Sequence, residues 1–155
     1  MKRKTAREIA VELSFAAAAC GCGTDELLAS FFSDEHYSTL AEENELFSER
    51  PDEDQMNYIR RLTTEVCSRS DELDGYIERY SKGWKAERIS RTARAVLRTA
   101  ICEILYIEDV PAAVAINEAV ELDKSYDDAE TVAFVNGVLG GFMRGEFPQT
   151  EQTGE

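Results

Sequence analysis

The sequence predicts an all-α protein of about seven helices in two packed helical bundles. Three observations carry that expectation. Apolar residues recur at Ile89, Ala93, Val96, Leu97, Ala100, Ile101, Ile104 and Leu105, one stripe on a helix of about five turns. Pro111 then interrupts the pattern, at a place where a new helix can start without needing that residue's N–H. No segment shows the alternation of a half-buried strand. The 155 residues suffice for one domain, or for two small halves sharing a core. The expected division is a helical domain over 1–145, with an N-terminal bundle over about 4–81 and a C-terminal bundle over about 86–144. Residues 146–155 are expected to be a disordered polar tail.

In chain order, residues 4–20 form a helix whose buried stripe is Ala6, Ile9, Ala10, Leu13, Ala16, Ala17 and Cys20, and Gly21 and Gly23 end it. Glu8, Glu12 and Phe15 fall on the opposite side. Phe15 has two readings: an ordinary exposed ring, or an aromatic anchor flanked by carboxylates that meet a basic partner. Thr24 starts a short helix over Asp25 to Phe32. From Ser33 to Pro51 the chain is acidic and aperiodic, which predicts a mobile, solvated loop with one helical turn around Leu40 to Phe47.

Asp54 to Ser68 (Met56, Ile59, Leu62, Thr63, Val66) and Asp71 to Tyr80 (Leu73, Tyr76, Ile77) are the next two helices, the latter stopped near Gly83. After the central helix, Pro111 opens one running to about Tyr126. Asp127 and Asp128 offer caps for the last, which carries Phe134, Val135, Val138, Leu139, Phe142 and Met143. Asn117, Glu118 and Asn136 interrupt apolar faces, so they are expected to hydrogen-bond between helices, with Gly137 allowing close approach. Arg88, Arg91, Arg94 and Arg98 lie opposite the central stripe. They read as a solvated face first, and as an RNA or acidic-partner surface second.

The formal charge is -14, unevenly placed. Residues 25–54 hold eleven acidic side chains and one base, Arg50, whereas Lys2, Arg3, Lys4 and Arg7 have no acid among them. Phosphate contact is sequence-independent and driven by Lys and Arg, so RNA binding would need local basic patches such as this one. The four cysteines, Cys20, Cys22, Cys67 and Cys102, and the lone His36 lack metal-ligand spacing. They read as free cytosolic thiols, with no cofactor expected. Arg7, Glu8 and Glu12 break the apolar run that an export signal needs, and no run reaches a spanning length. The expected location is the cytoplasm. One histidine cannot supply a bundle di-iron site, and no nucleophile elbow or Cys–His arrangement occurs, so no enzyme is expected.

The run DVPAAVAINEAVEL (Asp109 to Leu122), then FVNGVL (Phe134 to Leu139), resembles the C-terminal half of NusB, the family of bacterial transcription antitermination factors. ARAVLRTAICEIL (Ala93 to Leu105) is similar to that family's long central helix. The resemblance covers about sixty residues clearly. It implies a factor that pairs with NusE, a ribosomal protein, binds boxA, a single-stranded RNA element of ribosomal RNA leaders, and acts in the RNA polymerase antitermination complex. It implies that Lys2, Arg3, Lys4 and Arg7 hold phosphates and that Glu130 and Phe134 meet bases or sugars, with Tyr80 a further contact. An unpaired base can stack on an aromatic ring while Lys and Arg hold its phosphates. By the same resemblance Phe15, Glu8, Glu12 and Arg94 face NusE. Phe134 keeps a second reading as an ordinary core side chain.

The sequence departs from the family where Thr5 interrupts the basic run and where Ala93 replaces an acid common before Arg94. Those departures and the net charge support an alternative, a protein-protein adaptor of the same fold, monomeric or homodimeric, with weak or no RNA binding. A further alternative is an accessory domain for a separately encoded ribosomal RNA methyltransferase.

Overall fold

A computed structural model of the chain describes residues 2–21, 23–43, 50–83, 88–107 and 109–148. Among them are eight helices and no strand: α1 (Arg3–Cys20), α2 (Thr24–Phe31), α3 (Asp34–Glu43), α4 (Glu53–Ser68), α5 (Ser70–Tyr80), α6 (Arg91–Tyr106), α7 (Ala112–Asp123) and α8 (Ala129–Glu146). They form two compact units, Met1–Ser68 and Arg69–Glu155.

In the first unit α1 packs on α4, α2 on both, and α3 on α2. Ile9, Leu13, Leu28, Ile59, Leu62 and Val66 are buried there, as their three- and four-residue spacings require. Gly21 ends α1 in the left-handed region (φ 69°), its N–H reaching the Ala17 carbonyl, a conformation that glycine adopts without a Cβ penalty. Asp52 and Gln55 cap the head of α4 reciprocally: Gln55 N donates to Asp52 Oδ1 (2.8 Å) and Asp52 N to Gln55 Oε1 (3.0 Å).

The expected solvated loop is corrected in part, because residues 34–43 are helical. Ser33 Oγ accepts from His36 N, and Asp34 and Glu35 sit in the first turn, where carboxylates favour the helix dipole. Tyr37 is buried and stacks on Phe32 (5.7 Å between centroids). Arg50, the segment's one base, lies over the Tyr37 ring and bonds Asp34 and the Phe32 carbonyl. Residues 44–49, including the end of the helical turn expected at Leu40–Phe47, lie outside the described residues, as do Trp84 and residues 149–155 of the tail.

In the second unit α6 packs on α5, α7 and α8, and α8 also meets α5 and α7. Leu73, Ile77, Leu97, Ile101, Leu139 and Phe142 are fully buried. Ser90 caps α6 by accepting from Ala93 N, Asp128 caps α8 by accepting from Thr131 N, and Pro111 stands at the N-cap of α7. Three expected boundaries move. α5 clusters with the C-terminal helices, since Leu73 and Ile77 are buried where α5 meets α6 and α8. α7 stops at Asp123, not Tyr126. The expected tail starts later than residue 146, because Glu146 belongs to α8 and Phe147 packs edge-on to Phe142 at 5.8 Å. Cys67 and Cys102 are in no disulfide, as expected, but Cys20 is disulfide-bonded.

Candidate functional site

The basic patch occupies the start of α1. Lys2, Arg3 and Lys4 are exposed, no side chain caps the helix, and its first turn contains no acid. The end of a helix that carries unsatisfied N–H groups attracts anions, and three cations there reinforce the attraction. Placing bases at that end opposes the helix dipole, so local stability does not explain them. Arg3 is held in place, its guanidinium 4.1 Å from the centroid of the Tyr58 ring on α4. Arg7 differs. It is 4% exposed, and a buried guanidinium has little surface to offer a phosphate.

Glu8, Glu12 and Phe15 share one face of α1, one turn apart. Phe15 is exposed (37%), while the two carboxylates are half-buried. A large apolar ring left open beside acids is the pattern of an interface anchor.

On α8, Glu130 is exposed in the first turn, where its charge complements the helix dipole. Phe134, one turn on, is 7% exposed. Its ring is part of the core, and a base could stack on it only after it turned outward. The core reading of Phe134 therefore describes the structure better than the stacking one.

Tyr80 is likewise occupied. Its hydroxyl donates to Glu146, which also pairs with Arg79 at 2.9 Å. That bond to a carboxylate, foremost, pushes the phenol pKa up. The ring lies against Gly141 and Gly145, and at Gly145 an added side chain would collide with it. Tyr80 thus sits at the far end of α8, roughly 22 Å along the helix from Glu130 at about 1.5 Å per residue. The structure does not bring it together with Glu130 and Phe134.

Arg94 and Arg98 are engaged too. Arg98 grips Asp74 of α5 with Nε and Nη2 (2.8 and 2.6 Å), and Arg94 Nη1 adds a bond of 3.1 Å. Burial would raise the Asp74 pKa, but the hydrogen bonds and charges of Arg98 and then Arg94 outweigh it, leaving the carboxyl below its ordinary range. Arg94 is therefore a strut between α5 and α6, with a quarter of its side chain exposed.

Sequence reasoning also misplaced the asparagines. Asn117 and Asn136 are exposed, not buried between helices. They line an open groove of about 650 Å³ between α7 and α8, floored by Val120, Val132 and Ala133. A Cβ on Gly137 would meet nothing within 4 Å, so that glycine does not mark a close helix approach. Among the described residues no group of three His, Cys, Asp or Glu could hold a metal. No helix there is long and apolar enough to cross a membrane.

Residues 4–144 match the model of the NusB family. The transcription antitermination protein NusB of Symbiobacterium thermophilum is 37% identical over 145 residues, covering 94% of this chain and 91% of that protein. Its namesake from Myxococcus xanthus is 41% identical over 137 residues, 88% of this chain and 91% of that one. Among solved structures, T. maritima NusB superposes with a TM-score of 0.74 at 24% identity, covering 93% of this chain and 92% of the other. A chain from the crystal structure of antitermination factors NusB and NusE in complex with dsRNA gives 0.71 at 23% identity, covering 92% and 96%. At such identity the likeness to solved structures speaks for the fold.

Proposed function

This chain belongs to the NusB family, whose members are transcription antitermination factors and not enzymes, and from that premise we propose that it pairs with NusE, binds boxA RNA of ribosomal RNA operons, and joins the RNA polymerase antitermination complex in the cytoplasm. The observation that carries the RNA part is the uncapped, acid-free start of α1 with Lys2, Arg3 and Lys4 exposed around it. In a protein of formal charge -14, that concentration of cations supplies the local attraction that RNA phosphates require. Glu130, exposed at the head of α8, is the second contact, meeting a sugar or base edge. Phe134 takes part by rotating out of its buried position, and Arg7 supports the patch from within. The NusE contact rests on Phe15, exposed on the face of α1 that it shares with Glu8 and Glu12.

Partner and RNA each lend contacts to the joint complex, so NusE tightens RNA binding and RNA tightens NusE binding by the same factor. The test is a salt titration of binding to a boxA-like RNA and to a scrambled RNA, with and without NusE. Selective binding that strengthens with NusE is expected. Each phosphate contact removed, by Lys2→Gln or Lys4→Gln, should lower the slope of log K against log salt by about 0.7. Equal affinity for the scrambled RNA with NusE present would sink the reading.

Phe15→Ala should weaken NusE binding by about 2 kcal/mol, roughly thirtyfold in Kd, without changing the helical circular dichroism. An unchanged Kd would remove Phe15 from the interface.

A second reading, an adaptor that binds protein but little RNA, is favoured by two observations. Phe134 is buried, and Tyr80 is bound to Glu146, leaving neither ring free to stack. Under it, NusE or a second copy of the chain binds while both RNAs bind weakly and equally.

A further inference from the structure

Three carboxylate oxygens are buried without a donor near the ends of α6, α7 and α8. Asp123, the last residue of α7, is 0% exposed, and neither of its oxygens receives a hydrogen bond from an N–H or hydroxyl; Asp127 Oδ2 is in the same condition. Asp127 N–H bonds the Asp123 carbonyl at 2.9 Å, one helical turn on, which sets the two side chains beside each other. Two ionised carboxylates placed this way repel, and the three buried oxygens have given up their hydrogen bonds to water. A single proton between them removes the repulsion and supplies the missing donor.

We propose that Asp123 and Asp127 share one proton, the Asp123 carboxyl donating to Asp127 Oδ2, and that this acid–carboxylate pair is a latch tying the ends of α6, α7 and α8. The rest of the local network is arranged around it. Asp127 Oδ1 accepts from Ser90 Oγ at 3.1 Å, and that same Oγ accepts from Ala93 N to cap α6. Asp128, the next residue, caps α8 through Thr131 N at 2.8 Å. The Asp123 carbonyl accepts from the N–H groups of Tyr126 and Asp127, closing the turn after α7. The proton therefore lies in series with the end of one helix and the heads of two others.

The charges that act on Asp123 are those of Asp127 and Asp128, both acidic, and Lys124 beside it is exposed and paired with Glu121 at 2.8 Å. Burial first, then the hydrogen bond and charge of Asp127 and the charge of Asp128, push the Asp123 carboxyl up to about 8. The folded chain thus holds a proton that the unfolded chain releases near the ordinary value of 3.8. The contribution is fully present below that value and is lost as pH rises through about 8. The latch is closed at neutral pH and releases in mild alkali.

The test is thermal unfolding of the full chain between pH 5 and 9, comparing wild type with Asp123→Asn. The amide has the shape of the acid and a permanent N–H donor, and it carries no charge. The wild-type midpoint should fall steadily from pH 5 and level off above about pH 8. The variant should fall by several degrees less and melt above wild type at pH 9, and Asp127→Asn, which donates in the opposite direction, should behave alike. A second readout is the carbon NMR titration of aspartate side chains in the wild type, where one carboxyl should titrate far above the others and be missing from Asp123→Asn. Identical pH dependence in the two proteins would overturn the proposal. So would a wild type whose aspartates all titrate in the ordinary range, a result that decides the matter even if a variant fails to fold.

Discussion

Asp74→Ala is expected to destabilise the C-terminal unit by about 2–3 kcal/mol, read as a lower urea midpoint at unchanged slope. Asp74 is the one anion between two guanidiniums, and the side chains of Arg98 and Arg94 are 16% and 25% exposed. Exposed ion pairs contribute up to about 1 kcal/mol, whereas removing one partner of a buried pair costs about 3–5 kcal/mol and leaves the other charge stranded. The two-pronged grip of Arg98 on a half-buried carboxylate belongs between those limits. The sign of the pH dependence follows from the depressed Asp74 pKa. Its contribution is present above the ordinary value of 3.8 and is lost as pH falls through the lower folded value. Asp74→Asn should therefore flatten part of the acid limb of a stability–pH profile. A loss below about 0.5 kcal/mol for Asp74→Ala, the range of ordinary surface changes, would mean that Arg94 and Arg98 are solvated and free for a partner.

Phe142→Ala should cost more, about 3–5 kcal/mol, the range for emptying a buried aromatic site. Phe142 is 0% exposed and takes three rings edge-on: Tyr76 at 5.2 Å, Tyr80 at 6.2 Å and Phe147 at 5.8 Å. Such pairs add about 0.5–1.5 kcal/mol each beyond the area they bury. The variant should also lose near-ultraviolet circular dichroism from the tyrosines, because the ring that fixes their orientation is gone. Phe142→Leu, which refills much of the volume, should recover a large part of the stability. Retention of the full aromatic signal in Phe142→Ala would show that Tyr76 and Tyr80 are held by other contacts.

The two variants bear on different parts of what could be read in advance. Phe142 was visible as a core residue because it falls on the same helical stripe as Val135, Val138 and Leu139. The clamp on Asp74 was not visible. Arg94 and Arg98 lie one turn apart, and nothing local distinguishes bases facing water from bases facing an acid on another helix. α3 was missed for a related reason. Among its described side chains only Tyr37 is buried, too little to show as a period, and the rings that receive it, Phe31 and Phe32, lie across the turn at the end of α2, off any regular helical spacing.

The candidate site divides in the same way. The basic run at the start of α1 and the open ring of Phe15 beside two carboxylates needed only the helix and its periodicity to be recognised. Phe134 sits at the edge of an apolar arc, where a helical wheel cannot say whether the ring is covered. Tyr80 looked available because its holders, Gly141, Gly145 and Glu146, come more than sixty residues later. Asn117 and Asn136 looked buried because their neighbours are apolar, yet they open onto a groove.

By itself the sequence determined the helical class, the apolar face of each long helix, the cap at Asp128, and the motifs that resemble the NusB family. Those properties follow from interactions among residues a few positions apart, where a period of 3.6 and the chemistry of helix ends suffice. Only the tertiary structure decided which bases are spent on Asp74, which aromatics are covered, and that Asp123 is buried beside Asp127. Whether a polar or aromatic side chain is free depends on what arrives from distant parts of the chain, and burial, pairing and proton affinity are set by that encounter.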